Sequence, residues 1–121
     1  MSESAAIHDL AELRDRLRMF AQQRDWEQFH SPKNLAMALI AEAAEIVEHF
    51  QWLTEKESKN LASDKRSLVA DELADVLVYL VRIADKLDID LLAAATDKIR
   101  RNEAKYPVSR VKGSARKYTE Y

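Results

Sequence analysis

Four acidic residues form two pairs with the same internal spacing. Glu42 and Glu45 lie three residues apart, and after 26 intervening residues Glu72 and Asp75 repeat that spacing. On a helix, residues three apart share a face. Carboxylate oxygens prefer hard cations such as Mg²⁺, Mn²⁺ or Ca²⁺ over zinc and copper, which favour His and Cys. The two pairs therefore indicate a candidate divalent-cation site.

The two pairs also have the same phase relative to the apolar residues around them. A helical wheel centred on Glu42 carries an apolar arc from Leu35 to Phe50, and one centred on Glu72 carries nearly the same arc from Val69 to Ile83. If the two helices pack antiparallel, four carboxylates meet at the edge of the core and repel one another unless a cation neutralises them. The alternative, four ordinary solvated acids, stays open. A di-iron bundle is disfavoured because Glu45 and Asp75 stand where such sites expect histidine.

The elements that must position these acids are helices. The 121 residues include one glycine and two prolines, too few for hairpins and βα turns, so an all-α, four-helix-bundle-like fold is expected. A short extra helix is predicted by the capping box Thr54-Glu55-Lys56-Glu57. Four long helices are predicted from apolar periodicity and end signals. The first carries an apolar stripe from Ile7 to Phe20 and fades near Arg24-Asp25. The others run from Ser31 as N-cap to about Leu53, from Ser63 as N-cap to about Leu87, and from Asp88 or Asp90 as N-cap to Pro107.

Composition excludes several classes of protein. The net charge of −2 argues against nucleic-acid binding, and the absence of cysteine removes disulfides and thiol chemistry. The longest apolar run, Val76 to Val81, is too short to span a bilayer, and the first residues carry no signal peptide, so a cytoplasmic protein is expected. The segment from Leu73 to Ala84 is apolar almost all round, which a four-helix monomer can hardly cover, so we expect a homo-oligomer.

Several aromatic and basic residues allow two interpretations each. Trp26 and Trp52 flank the first acidic pair and can either stack on a flat base or belong to the core. Lys98 and Asn102, four residues apart, form either a phosphate contact or a solvated basic face. The stretch 108–121 is either a frayed basic tail or a phosphate-binding arm. No glycine-rich phosphate loop is present, so phosphates would be held by metals and side chains.

The acidic pairs belong to a longer pattern. Glu42-Ala-Ala-Glu45 followed by Glu72-Leu-Ala-Asp75 resembles the ExxE…ExxD signature of the MazG-like, all-α nucleoside triphosphate pyrophosphohydrolases. Further matches cover residues 10 to 119 and are similar to the dCTP pyrophosphatase branch of that family. They are Arg24 to His30, Pro32, Asn34-Leu35, Phe50-Gln51-Trp52, Val78-Tyr79-Leu80, Lys98, Asn102, Tyr106-Pro107 and Lys112 to Tyr118.

The resemblance implies Mg²⁺-dependent hydrolysis, with Mn²⁺ as a substitute, of dCTP or a modified dCTP to the monophosphate and pyrophosphate. It implies a dimer or tetramer built on a MazG-type fold. The composition places the boundary between a nucleotide pyrophosphohydrolase domain over 1–107 and a basic tail over 108–121. Lys105 departs from the branch, which often has arginine before Tyr-Pro, so the bidentate grip of arginine is lost there.

The resemblance also implies a role for each site residue. Glu42, Glu45, Glu72 and Asp75 would bind metal, and Glu45 would also orient or deprotonate the attacking water. Nucleotide contacts would come from Trp26 and Trp52 around the base, Tyr79 beside the sugar, His30 and Asn34 in the matching 24–35 segment, and Lys98, Asn102, Lys105, Arg116 and Lys117 at the phosphates.

Two alternatives to this function stay open. The same fold can act on another triphosphate, such as dUTP or a damaged purine nucleotide, because pocket shape depends on assembly. The chain can also be a non-enzymatic helical interaction module, which would show no stabilisation by divalent cations.

Overall fold

The computed structural model describes residues 5–116 and 118–120, and all regular structure in those residues is helical. The all-α prediction is therefore confirmed. In chain order the helices are α1 (Leu10–Gln23), α2 (Pro32–Phe50), α3 (Glu55–Ser58), α4 (Ser63–Lys86), α5 (Leu91–Lys105) and α6 (Val108–Val111), with 3₁₀ turns at Glu27–Phe29 and Tyr118–Glu120.

Most of the predicted helix starts are confirmed by their caps. The Ser31 hydroxyl accepts from the Asn34 N–H, Thr54 and Glu57 form the reciprocal capping box of α3, and Asp90 caps α5 by accepting from the Ala93 N–H.

Two predicted helix starts need correction. α1 begins at Leu10, because the Asp9 carboxylate caps it by accepting from the Glu12 N–H, and Ile7 precedes the helix. Ser63 is not the N-cap of α4. Ala62 holds that position with an extended backbone, and its carbonyl accepts from the Arg66 N–H, so Ser63 is already helical.

Helices α2 and α4 pack against each other and run in antiparallel directions, which is the arrangement under which the acidic pairs were expected to meet. His49, near the end of α2, lies 4.0 Å from Glu72 in the first half of α4. His30, just before α2, lies 3.3 Å from Arg82 near the end of α4. Residues later in α2 therefore lie beside residues earlier in α4, so the two helices run in opposite directions. This is the arrangement that brings the two acidic segments together.

The buried core is small, and much of the predicted apolar arc is exposed. The buried apolar residues of the core are Ala21, Leu35, Val69, Val81 and Ala84. On α4, by contrast, Leu73, Leu77 and Leu80 are 54%, 41% and 42% exposed, although they share one face. The described part of one chain therefore leaves an apolar stripe of α4 in contact with water.

The chain divides into two compact units, Met1–Asp88 and Ile89–Tyr121. The first contains α1 to α4, and the second contains α5 and α6. The predicted boundary between residues 107 and 108 stays a prediction. None of the helices in residues 5–116 and 118–120 combines the length and the apolar character needed to cross a bilayer.

Candidate metal centre and substrate-binding residues

Three of the four predicted metal ligands lie together between α2 and α4. Glu42, Glu45 and Glu72 each offer one carboxylate oxygen, and these oxygens lie within 4.8 Å of one another. Asp75 is exposed and does not belong to this group, but its negative charge contributes to the raised pKa of Glu42. The structure thus brings the two acidic pairs to one place, with Asp75 at its margin.

The close approach of these acids disfavours their charged forms. A hydrogen bond with Glu45, followed by burial and the approach of Glu42, raises the pKa of Glu72 to about 7. Burial, together with the charge of Glu45, also raises the pKa of Glu42. A protein that holds several carboxylates this way needs protons or a cation to compensate for their mutual repulsion.

Two oxygens of the cluster have no hydrogen-bond donor. Glu42 Oε2 and Glu72 Oε2 are buried and without a hydrogen-bond partner among the described residues. Ionised carboxylates can only accept hydrogen bonds, so such atoms are costly to bury unless something positive reaches them. An all-oxygen donor set with unsatisfied lone pairs fits Mg²⁺ or Mn²⁺, and the three carboxylates are the residues that would hold it.

His49 stands at the edge of the acidic cluster. Its Nε2 atom lies 4.0 Å from Glu72 Oε1, with both side chains largely buried. His49 shares a helical stripe with Glu42 and Glu45, so the sequence could place it near the acids. A single histidine is usually not catalytic, and it was therefore assigned no role.

The local fold explains where Trp26 lies. Asp25 adopts a left-handed conformation with φ 54°, and the N–H groups of Asp25 and Trp26 donate to the Gln22 and Ala21 carbonyls. This is a Schellman ending for α1, in which the residue after the left-handed position packs back on the helix. The Trp26 ring accordingly lies edge-on to Phe20, with centroids 5.7 Å apart, and still remains 43% exposed.

The other predicted substrate contacts of the first unit have varied environments. His30 is half-buried beside Trp26, with ring centroids 6.2 Å apart. The Asn34 side-chain amide donates to the Phe29 carbonyl, so it has a structural role in the same segment. Tyr79 is half-buried one turn after Asp75, and Trp52 is 86% exposed just beyond α2. Trp52 is thus outside the core, whereas the substrate contacts of all four residues stay predictions.

The sequence interpretation missed a charged cluster around Arg82, a buried residue in the second half of α4. Arg82 is 2% exposed and donates to Glu27 Oε1 at 2.8 Å and to Asp85 Oδ2 at 3.2 Å. Glu27 also pairs with Lys86, and Asp85 accepts two hydrogen bonds from Arg18 of α1. The signal was a lone arginine in an otherwise apolar stretch of α4. Such a residue is buried only when it is paired.

The predicted phosphate contacts of the second unit lie along α5. Lys98, Asn102 and Lys105 are exposed, and their spacing places them within about 60° of one another around the helix. The Arg116 side chain donates to the Ser114 hydroxyl. Lys117 lies outside the described residues. The lysines and the asparagine form a polar stripe of the kind that can meet phosphate oxygens.

The sequence of the acidic region matches a known family. The model of the MazG-like family matches residues 38–121. The chain belongs to the MazG-like family. The predicted metal ligands and the α5 stripe lie inside the matched range, whereas Trp26, His30 and Asn34 precede it.

Two kinds of relatives of this MazG-like chain support the assignment. It is 44% identical to human dCTP pyrophosphatase 1 over 103 residues, and 45% identical to the dCTP pyrophosphatase 1 of mouse over the same length. Those matches cover 84% of this chain and 61% of each relative, so the chain spans less than two thirds of their length. Its fold is similar to the crystal structure of a pyrophosphatase from Archaeoglobus fulgidus, with TM-score 0.77, 37% identity, and coverage of 88% of this chain and 99% of that one.

Proposed function

We propose that this chain hydrolyses a nucleoside triphosphate, dCTP or a modified dCTP, to the monophosphate and pyrophosphate. The observation that carries the proposal is the group of Glu42, Glu45 and Glu72, whose oxygens lie within 4.8 Å of one another and include two buried atoms without a donor. The proteins that share 44–45% identity with the chain are named dCTP pyrophosphatases, which favours this substrate.

Mg²⁺ is the proposed cofactor, with Mn²⁺ as a substitute, and Glu42, Glu45, Glu72 and Asp75 are its proposed ligands. When bound, the ion would neutralise phosphate charge and hold the triphosphate with pyrophosphate as the leaving group. Glu45 is the most exposed of the three glutamates in the close group, so water can reach its carboxylate. We assign it the task of orienting the attacking water and accepting its proton.

The remaining contacts divide between base, sugar and phosphates. Trp26 and Trp52 are exposed aromatic rings suited to stacking on a base, with His30 next to Trp26, and Tyr79 is assigned to the sugar. Asn34 holds the segment that carries Trp26 and His30. The α5 stripe of Lys98, Asn102 and Lys105, together with the tail residues Arg116 and Lys117, is assigned to the phosphates.

The active form is proposed to be a homo-oligomer, a dimer or a dimer of dimers. Leu73, Leu77 and Leu80 present an apolar stripe on α4 that the described part of one chain leaves exposed. A second copy of the chain is the occupant that the proposal assigns to it, because buried apolar area drives association. The cytoplasmic location expected from the sequence stays a prediction.

The experiment that tests the proposal is hydrolysis of a panel of nucleoside triphosphates with Mg²⁺ in ¹⁸O-labelled water. Attack at the α phosphorus places the label in the monophosphate and releases unlabelled pyrophosphate. Diphosphate and orthophosphate as main products would contradict the proposed reaction. A preference for dUTP or a purine triphosphate would keep the reaction and change the substrate. No turnover of any triphosphate, with no thermal stabilisation by Mg²⁺, would favour the helical interaction module.

A further inference from the structure

The buried Arg82 joins two parts of the chain that are far apart in sequence. Its Nη2 atom donates to Glu27 Oε1 at 2.8 Å and lies 3.3 Å from His30 Nδ1, while its Nη1 atom donates to Asp85 Oδ2 at 3.2 Å. Glu27 and His30 belong to the short segment between α1 and α2, which we call the 26–30 segment. Arg82 therefore attaches the residues around Trp26 to α4.

The contact with Arg82 fixes the hydrogen-bonding state of His30. A guanidinium has five donors and no acceptor, and it stays charged at any pH a folded protein meets. His30 Nδ1 must therefore be the acceptor, which leaves the ring proton on Nε2. Burial, and after it the charge of Arg82, lowers the pKa of His30, with Lys86 acting in the same direction and Glu27 against it. At neutral pH the ring is a neutral imidazole with one donor, Nε2–H.

The ring that carries this donor lies beside an exposed aromatic ring. The His30 and Trp26 centroids are 6.2 Å apart, and Trp26 is 43% exposed. Stacking on a ring tolerates any base, so discrimination among bases requires hydrogen bonds at a defined position. A fixed N–H beside a stacking surface is suited to an acceptor on the edge of a base.

We propose that Arg82 is a positioning residue for base recognition: it holds the 26–30 segment on α4 and keeps His30 in the Nε2–H form, which donates to an acceptor on the base stacked against Trp26. This inference rests on the proposed function. It adds a residue that the sequence interpretation gave no role, and it places the source of base preference in a single histidine tautomer.

The cluster around Arg82 provides both a test variant and a control. Arg82→Met removes the donors and the charge but keeps an unbranched side chain, and Arg82→Lys restores the charge and a donor. Arg18→Met removes a charge from the same cluster, at Asp85, without touching His30. Glu27 keeps Lys86 and Asp85 keeps Arg18 when Arg82 is replaced, so neither carboxylate loses every partner.

The first measurement is independent of activity. Ring ¹⁵N shifts of His30, assigned with a His30→Gln variant, report the tautomer in the wild type. The expected result is the Nε2–H form in the wild type and in Arg18→Met, and mixed tautomers with a higher His30 pKa in folded Arg82→Met. A wild-type His30 in the Nδ1–H form would overturn the proposal. If Arg82→Met does not fold, the wild-type spectrum and Arg82→Lys still decide the question.

The second measurement separates positioning from general stability. For dCTP we expect Arg82→Met to raise KM about threefold to tenfold, the effect of one misplaced hydrogen bond, with kcat nearly unchanged and partial recovery in Arg82→Lys. Equal KM in the wild type and folded Arg82→Met, or the same change in Arg18→Met, would overturn the recognition role. A wild type that turns over no triphosphate while His30 is in the Nε2–H form would overturn the proposed function and the base contact together, leaving only the attachment of the segment.

Discussion

Replacing Glu72 with glutamine tests the metal centre most directly, because it removes one charge from the cluster and keeps the side-chain volume. In the wild type, Mg²⁺ at a hundredfold excess over its Kd stabilises the folded state by about 2.7 kcal/mol. With an unfolding entropy of about 2.1 cal/mol/K per residue over 121 residues, this raises Tm by about 10 °C. If Glu72→Gln weakens binding a hundredfold, the same Mg²⁺ concentration gives about 0.4 kcal/mol, or less than about 2 °C.

The same substitution has an opposite effect without metal. The pKa of Glu72 is raised to about 7 from 4.5, so the folded protein holds a proton that the unfolded chain releases between those values. The free energy of unfolding of the metal-free wild type therefore falls as pH rises from about 4.5 to about 7. Glu72→Gln cannot lose that proton, so its stability should change less across this range and exceed the wild type's at pH 8.

Thermal melts by circular dichroism at pH 5, 6, 7 and 8, with Mg²⁺ or with excess chelator, measure both effects. Asp71→Asn is the matched control, since Asp71 is exposed, adjacent on α4 and outside the close carboxylate group. We expect its Mg²⁺ response to equal that of the wild type. A full Mg²⁺ shift in Glu72→Gln, or the same loss in Asp71→Asn, would refute a metal centre at this cluster.

Three further predictions address base stacking, assembly and acid stability. Trp26→Ala should raise KM for dCTP roughly ten- to hundredfold, with a smaller change in kcat and an unaltered circular dichroism spectrum. Trp26→Phe should retain most of the affinity. Loss of fold without a separate kinetic effect would place the ring in the core. Sedimentation should give a multiple of 13.9 kDa, and Leu77→Lys should lower it; a wild-type monomer at micromolar concentration contradicts the assembly. Hydrogen bonding to Arg18 lowers the pKa of Asp85 from 3.8, so this pair stabilises the fold above that pH and loses its effect as pH falls. Acid unfolding of Arg18→Met should therefore begin at higher pH than that of the wild type. Identical acid-unfolding curves for the two proteins would contradict the pairing.

Periodicity gave the two acidic pairs, Glu42–Glu45 and Glu72–Asp75, the same phase relative to their apolar arcs, so antiparallel packing of the two helices would bring the acids together. The sequence left the packing direction as a condition, and the structure supplies it. Periodicity does not resolve a single turn, however. Asp75, although in register, lies outside the close group that Glu42, Glu45 and Glu72 form.

Helix ends were predictable where a side chain with a strong preference stood alone. Ser31 before Pro32 offered a single start for α2, and the structure uses it. At α4, Ser63 was a suitable cap by residue type, but the extended Ala62 holds the N-cap position, and its carbonyl accepts from the Arg66 N–H without a side-chain cap. Residue preference gives a candidate for a helix start, and backbone geometry selects among neighbours.

The arginine cluster could not be derived from sequence, because it depends on contacts between residues 52 to 67 positions apart. Arg82 pairs with Glu27, and Asp85 pairs with Arg18. Local charge patterns of α4 show an arginine and an aspartate three residues apart, an ordinary surface pair. Only the approach of α1 and the 26–30 segment turns that pair into a partly buried network around Arg82.

The continuity of α4 connects the two ends of the candidate site. Glu72 and Arg82 lie ten residues apart on this helix, which at 1.5 Å per residue separates them by about 15 Å. The helix between them makes about 2.8 turns. Because such a helix cannot flex as a loop does, it sets the distance between the carboxylate group and the 26–30 segment. Asp75, Tyr79 and Arg82 follow one side of α4 between the two ends. If the carboxylate group and the 26–30 segment hold the phosphates and the base as proposed, the site would select a ligand by length as well as by charge, since both ends would be reached from the same rigid element.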